Sequence, residues 1–90
     1  PTTVLLTGAT SGIGEALCDQ LLARGHSVVA PARRAAHLPA RPGLYPVTAD
    51  LTDLVAIPAL GRRLLAAHPD LTVLINCAAV QHAHALTDPA

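Results

Sequence analysis

The eight residues Thr7-Gly8-Ala9-Thr10-Ser11-Gly12-Ile13-Gly14 constrain the fold of this chain more than any other stretch. Their glycines fall at the spacing G-x-x-x-G-x-G, directly after the apolar run Thr3-Val4-Leu5-Leu6-Thr7. That run has the profile of a strand buried on both faces, as in a parallel sheet. From Gly12 a helical pattern takes over: Ile13, Ala16, Leu17, Leu21 and Leu22 recur at three- and four-residue steps, and Glu15, Asp19, Gln20 and Arg24 take the other face. Gly25 is placed to end that helix, because glycine tolerates positive φ. Strand, glycine corner and helix in this order gather backbone N–H groups and the positive end of a helix dipole at one point, which holds phosphate without lysine. Gly8 then permits the tight turn, Gly12 a close approach of backbone to a diphosphate, and Gly14 tight packing of helix on sheet. The plainer alternative is a turn of purely structural use; the flanking strand and helix favour the phosphate cradle.

The rest of the chain extends the pattern. Ser27-Val28-Val29-Ala30 reads as a second strand, which completes a strand–helix–strand crossover. Residues Ala35 to Gly43 are broken by prolines and allow one helical turn at most. Leu44-Tyr45-Pro46-Val47-Thr48-Ala49 is a third strand whose proline places it near an edge. Thr52 or Asp53 is a candidate cap for a second helix with apolar face Ile57, Leu60, Leu64 and Ala67, stopped by His68-Pro69. Pro58 is costly inside a helix, so the regular part is expected to begin around Ile57 with Pro58 in its first turn. Leu71-Thr72-Val73-Leu74-Ile75-Asn76, almost wholly apolar, is the fourth strand. The expected fold is α/β, a Rossmann-like doubly wound parallel sheet of strand order 3-2-1-4, the N-terminal half of such a sheet.

Several function classes are disfavoured. A Walker loop requires a lysine after its second glycine, and the chain has no lysine. Its six arginines balance six acids and are scattered without interleaved aromatics, which gives nucleic-acid binding little support. No stretch offers the roughly 20 apolar residues of a membrane span. Cys18 and Cys77 lack C-x-x-C spacing and read as reduced, buried thiols, so the expectation is a soluble cytoplasmic protein. Hydrophobic residues make up 51% of the chain and charged ones 13%, a balance that implies apolar surface covered by a partner. His82 and His84 form an H-x-H, but only Asp88 lies near as a third ligand, so no metal site is expected.

With these residues on the page, the chain resembles the short-chain dehydrogenases/reductases. Their N-terminal signature T-G-x-x-x-G-[IL]-G is similar to Thr7 through Gly14 without a mismatch, and the resemblance runs through all 90 residues in order. It implies that Gly8, Thr10, Ser11, Gly12, Ile13 and Gly14 bind a nicotinamide dinucleotide. Asp50-Leu51 resembles the family's aspartate after the third strand, whose carboxylate takes a hydrogen bond from the adenine amino group. Asn76-Cys77-Ala78-Ala79 is similar to the family's N-N-A-G, in which the asparagine ties the central strands and the backbone, here at Ala78 and Ala79, lines the ribose. Two departures stand out: Cys77 replaces the second asparagine and Ala79 the glycine. Val80 to Asp88 would then be the loop that borders nicotinamide and substrate.

The end of the second strand reads Val29-Ala30-Pro31-Ala32-Arg33-Arg34. An acid there favours the free 2′-hydroxyl of NAD; guanidinium groups suit a 2′-phosphate. NADP is therefore expected over NAD, held by Arg33 first and Arg34 second, with the Thr10 or Ser11 hydroxyl assisting; the bland alternative is a solvated arginine pair. The family's catalytic Tyr-x-x-x-Lys and serine have no counterpart: Tyr45 is the only tyrosine and is followed four residues on by Ala49, and Ser11 and Ser27 belong to the corner and the second strand. The expectation is the cofactor-binding part, residues 1–90, of a larger single-domain NADP-dependent reductase. It would act on a small carbonyl or alcohol, contribute no catalytic residue itself, and meet either further copies or its own remaining C-terminal part. The rivals are a non-catalytic NADP-binding or redox-sensing module and a purely structural interaction domain.

Overall fold

The computed structural model describes residues 2–77. Seven elements follow in order: β1 (Thr3–Thr7), α1 (Gly12–Ala23), β2 (Ser27–Ala32), a 3₁₀ turn (Ala35–His37), β3 (Leu44–Thr48), α2 (Ile57–Ala67) and β4 (Leu71–Asn76). The four strands form one parallel sheet of order β3-β2-β1-β4.

Helix α1 begins where the Ser11 side chain accepts a hydrogen bond from the Gly14 N–H, which satisfies one orphan donor of the first turn. It ends as its glycine required. Gly25, at φ 84°, donates to the Leu22 carbonyl at 3.0 Å, and His26 donates to Leu21 at 3.0 Å, the paired bonds of a left-handed helix cap. The face of the sheet beneath α1 carries the core: Leu6, Val28, Ala30 and Leu44 are buried with Cys18, and Leu17, Leu21, Leu22 and Leu38 pack around them. Burying such side chains contributes roughly 1.5–3 kcal/mol each, and this layer holds the unit together.

Strand β2 runs two residues further than the apolar run implies, through Pro31 to Ala32. The ladder shows how a central strand accommodates a proline. Ser27 donates to Thr2 and Val28 to Gly43, so odd-numbered residues of β2 turn their backbone groups toward β1 and even-numbered ones toward β3. Pro31 is odd, and the β1–β2 pairing stops at Leu5–Val29, whereas β2–β3 pairing continues to Ala32–Thr48. The missing N–H thus falls where the strands have already parted. Pro46 in β3 is placed by the same logic: Gly43 and Ala49 engage β2, so Pro46 turns its nitrogen to the open edge.

Helix α2 starts at Ile57 with Pro58 in its first turn, but neither Thr52 nor Asp53 caps it. Its N-cap is Ala56, already in helical conformation. Asp53 instead closes a separate turn by accepting the Ala56 N–H at its carbonyl, 3.1 Å. Only Leu64 of α2 is buried. At the other edge, β4 slips by one residue against β1, with Thr3 opposite Leu71 and Val4 opposite Val73, so Thr72 is bulged. β4 leaves Leu74 64% exposed. Among the described residues no helix is long and apolar enough to cross a membrane.

Candidate functional site

Of the three glycines at the corner between β1 and α1, two are required by the fold, each for its own physical reason. Gly8 sits at φ 78°, a conformation L side chains rarely adopt. Gly14 is required by space: a Cβ there would lie 1.8 Å from the Gly8 carbonyl oxygen. Its tight approach is thus to the corner itself, where the reading of the sequence expected the sheet. Gly12 has neither reason, because its φ is not positive and a Cβ would meet nothing within 4 Å.

Ser11 clips the corner shut. Its hydroxyl donates to the Gly8 carbonyl at 2.7 Å and accepts the Gly14 N–H at 3.2 Å, and its own N–H also reaches Gly8 at 3.0 Å. Its single O–H donor is therefore committed to the fold, which leaves Thr10 as the corner hydroxyl facing outward. Among the described residues, no hydrogen bond engages the N–H groups of Gly12 and Ile13, the exposed start of α1.

Before the corner opens a cleft of about 1020 Å³ at the carboxyl ends of the strands. The β1–β2 pairing ends at Val29, and Leu5, Thr7, Pro31 and Ala32 line the gap beyond it. The cleft brings together Gly8 and Thr10 from the corner, Arg33 and Arg34 from the end of β2, Asp50 and Leu51 from the end of β3, and Asn76 from β4. Ser11, Gly12, Ile13 and Gly14 form the adjoining start of α1. Ala78, Ala79 and the His82–His84 pair lie outside the described residues.

Asp50 is held as a carboxylate. The Thr52 hydroxyl donates to its Oδ1 at 2.6 Å and the Thr52 N–H to the same oxygen at 2.9 Å. These two bonds, the hydroxyl first, keep the Asp50 carboxyl below its ordinary range, and the positive charge of Arg33 acts in the same direction. Arg33 therefore lies within electrostatic reach of Asp50. Cys18, buried under the sheet, has its thiol pushed up by burial, with Arg41 opposing. Tyr45 stands apart from the cleft, its ring 5.1 Å from that of His68.

The reading from sequence missed some of the lining. Thr52 was legible as the second residue after Asp50, the position from which an Asx turn takes its N–H. His37 also lines the cleft, three residues after Arg34. The wall that Ile57, Leu60 and Leu64 of α2 present to Leu5 and Leu74 had no local signal beyond helical periodicity.

The sequence profile of the short chain dehydrogenase family matches residues 2–89. Among curated proteins, the chain is 35% identical over 83 residues to the uncharacterized oxidoreductase DltE of Bacillus subtilis (strain 168), covering 88% of this chain and 33% of that one. It is 54% identical over 50 residues to the chloroplastic divinyl chlorophyllide a 8-vinyl-reductase of Oryza sativa subsp. indica, covering 56% of this chain and 12% of the other. Among solved structures it is similar to a short-chain dehydrogenase from Streptomyces avermitilis, with TM-score 0.74 and 29% identity over 82% of this chain and 30% of that one. It is likewise similar to a 4-hydroxyisoleucine dehydrogenase complexed with NADH, with TM-score 0.69 and 27% identity over 82% of this chain and 31% of the other. The chain thus spans a third or less of the length of these relatives.

Proposed function

The chain belongs to the short chain dehydrogenase family, and from that premise we propose that it is the cofactor-binding part of an NADP-dependent oxidoreductase acting on a small carbonyl or alcohol. The observation that carries the reading is Gly12. Glycine leaves the backbone bare, and nothing within the fold demands it there. The demand comes from outside the fold, from a group that must approach the backbone closely. The free N–H groups of Gly12 and Ile13, aligned with the dipole of α1, suit a diphosphate at that spot.

The remaining residues fit the other parts of a nicotinamide dinucleotide. Arg33 and Arg34, with the Thr10 hydroxyl, offer donors to a 2′-phosphate, and no acid stands at the end of β2 to prefer a free ribose hydroxyl. The Asp50 carboxylate, kept ionised by Thr52, is a ready acceptor for an adenine amino group, with Leu51 beside it. Asn76, tied to Thr7, and the following backbone through Ala78 and Ala79 would border the nicotinamide-side ribose. When bound, the cofactor supplies the hydride. These residues are assigned to binding and orienting it, and the movement of the substrate's proton to groups other than these, since the chain has no lysine and Tyr45 packs against His68. The catalytic pair and the cover for the exposed edge strand β4 are assigned to further residues of a longer single-domain protein or to a further copy of it. Two free buried cysteines accord with a reducing, cytoplasmic setting.

The absence of lysine also favours one rival, a non-catalytic NADP-binding or redox-sensing module. A Tyr-x-x-x-Lys further along the parent chain decides for the enzyme, and its absence for the sensor. The reading is tested by titrating the protein with NADPH and NADH. Arg33→Ala is expected to weaken NADPH about tenfold or more and NADH little; equal losses for both, or no binding of either, sink it.

A further inference from the structure

Resting on this nucleotide reading, we infer that His37 is a specificity-determining residue, which together with Arg34 forms the clamp for the 2′-phosphate that separates NADP from NAD.

The geometry is that of the 3₁₀ turn. The His37 N–H donates to the Arg34 carbonyl at 2.9 Å, and the Leu38 N–H donates to the Ala35 carbonyl at 3.0 Å. In such a turn residues three apart eclipse one another, so the chain presents two pairs on different sides. One pair, Ala35 and Leu38, is pinned: Ala35 is 7% exposed and Leu38 packs on the core under α1. The other pair, Arg34 and His37, is exposed, and both members line the cleft. The core contacts of the first pair therefore hold the second in place, which reduces the ordering cost of gripping a ligand.

The chemistry of the pair suits a phosphate monoester. Arg34 brings a planar fork of N–H donors, and the imidazole of His37 brings a further ring N–H from the same side. A ribose 2′-hydroxyl offers no anionic oxygens for these donors, so their contribution is confined to the phosphorylated dinucleotide. Arg33, on the neighbouring position, also carries its charge toward Asp50 after the end of β3.

The test measures dissociation constants for NADPH and NADH in the full protein, with the melting temperature of each variant as a check on folding. His37→Ala is expected to weaken NADPH about tenfold and leave NADH within twofold. His37→Gln, which keeps an N–H donor, should recover part of the loss. Unchanged NADPH binding in His37→Ala, or equal loss for both dinucleotides, overturns the inference. If wild-type protein prefers NADPH and only Arg33→Ala removes that preference, the NADP reading survives and the role of His37 falls. If wild-type protein prefers NADH or binds neither dinucleotide, both fall together.

Discussion

The Thr7 hydroxyl donates to Asn76 Oδ1 at 2.6 Å, and the Cys77 N–H donates to the Thr7 carbonyl at 3.1 Å. One residue at the end of β1 thus fixes the end of β4 through both side chain and backbone. The relationship sets the position of the floor of the cleft, because Thr7 and Asn76 both line it. Thr7 is only 9% exposed whereas Asn76 is exposed, so this polar contact is part-buried.

Thr7→Val keeps the shape and removes the donor. The expected cost is about 1 kcal/mol of unfolding free energy, read from a lower urea midpoint at unchanged slope. Thr7→Ser retains the hydroxyl and should recover most of it. A Thr7→Val protein as stable as wild type would show that the bond contributes nothing net.

The two helix-start glycines should separate fold from binding. Gly14→Ala drives a methyl into the Gly8 carbonyl and is expected to cost about 3 kcal/mol, visible in thermal unfolding. Gly12→Ala should unfold within about 1 kcal/mol of wild type yet bind NADPH at least tenfold more weakly. Tight NADPH binding by a folded Gly12→Ala protein would remove the central support for the diphosphate site.

Asp50 should respond to Thr52. The folded-state carboxyl lies below its ordinary value, so its contribution to stability is present above that ordinary value and is lost as pH falls through the lowered one. Thr52→Val removes the larger of the two bonds and should move the Asp50 titration midpoint upward, as followed by carboxyl NMR; Thr52→Ser should not. An unmoved midpoint in Thr52→Val would assign the shift to the backbone N–H at position 52, which valine keeps, ahead of the charge of Arg33.

The ninety residues alone should oxidise no NADPH with any carbonyl substrate, since neither a Tyr-x-x-x-Lys pair nor any lysine is present. Absorbance at the reduced nicotinamide band, followed over hours with a panel of aldehydes and ketones, checks this. Steady turnover above the uncatalysed rate would require a proton donor within these residues.

The identity and order of the elements were legible because strand and helix are local properties: apolar runs, three- and four-residue recurrence, and glycine or proline at the ends. Gly25 stops α1, Pro58 sits in the first turn of α2, and the sheet takes the order 3-2-1-4. The glycine corner, too, could be read from spacing, since T-G-x-x-x-G-x-G between strand and helix is a local arrangement. Misreadings arose where a residue had two possible partners. Asp53 is eligible to cap α2 and closes an earlier turn, and the apolar run of β2 stops at Ala30 whereas the strand continues through Pro31, whose nitrogen faces an unpaired gap.

What only the tertiary structure decided is which glycine answers to the fold and which does not. Gly8, Gly12 and Gly14 are the same letter in the sequence, yet one is set by its dihedral angle, one by a carbonyl six residues away, and one by nothing inside the molecule. The same holds for the surroundings of Arg33, Arg34 and His37, which are set by a 3₁₀ turn anchored by Ala35 and by a carboxylate carried in from the end of another strand. The physical reason is common to both cases. Backbone preference acts between neighbours in the chain, whereas steric exclusion and charge act between neighbours in space, and the second set of neighbours exists only after folding.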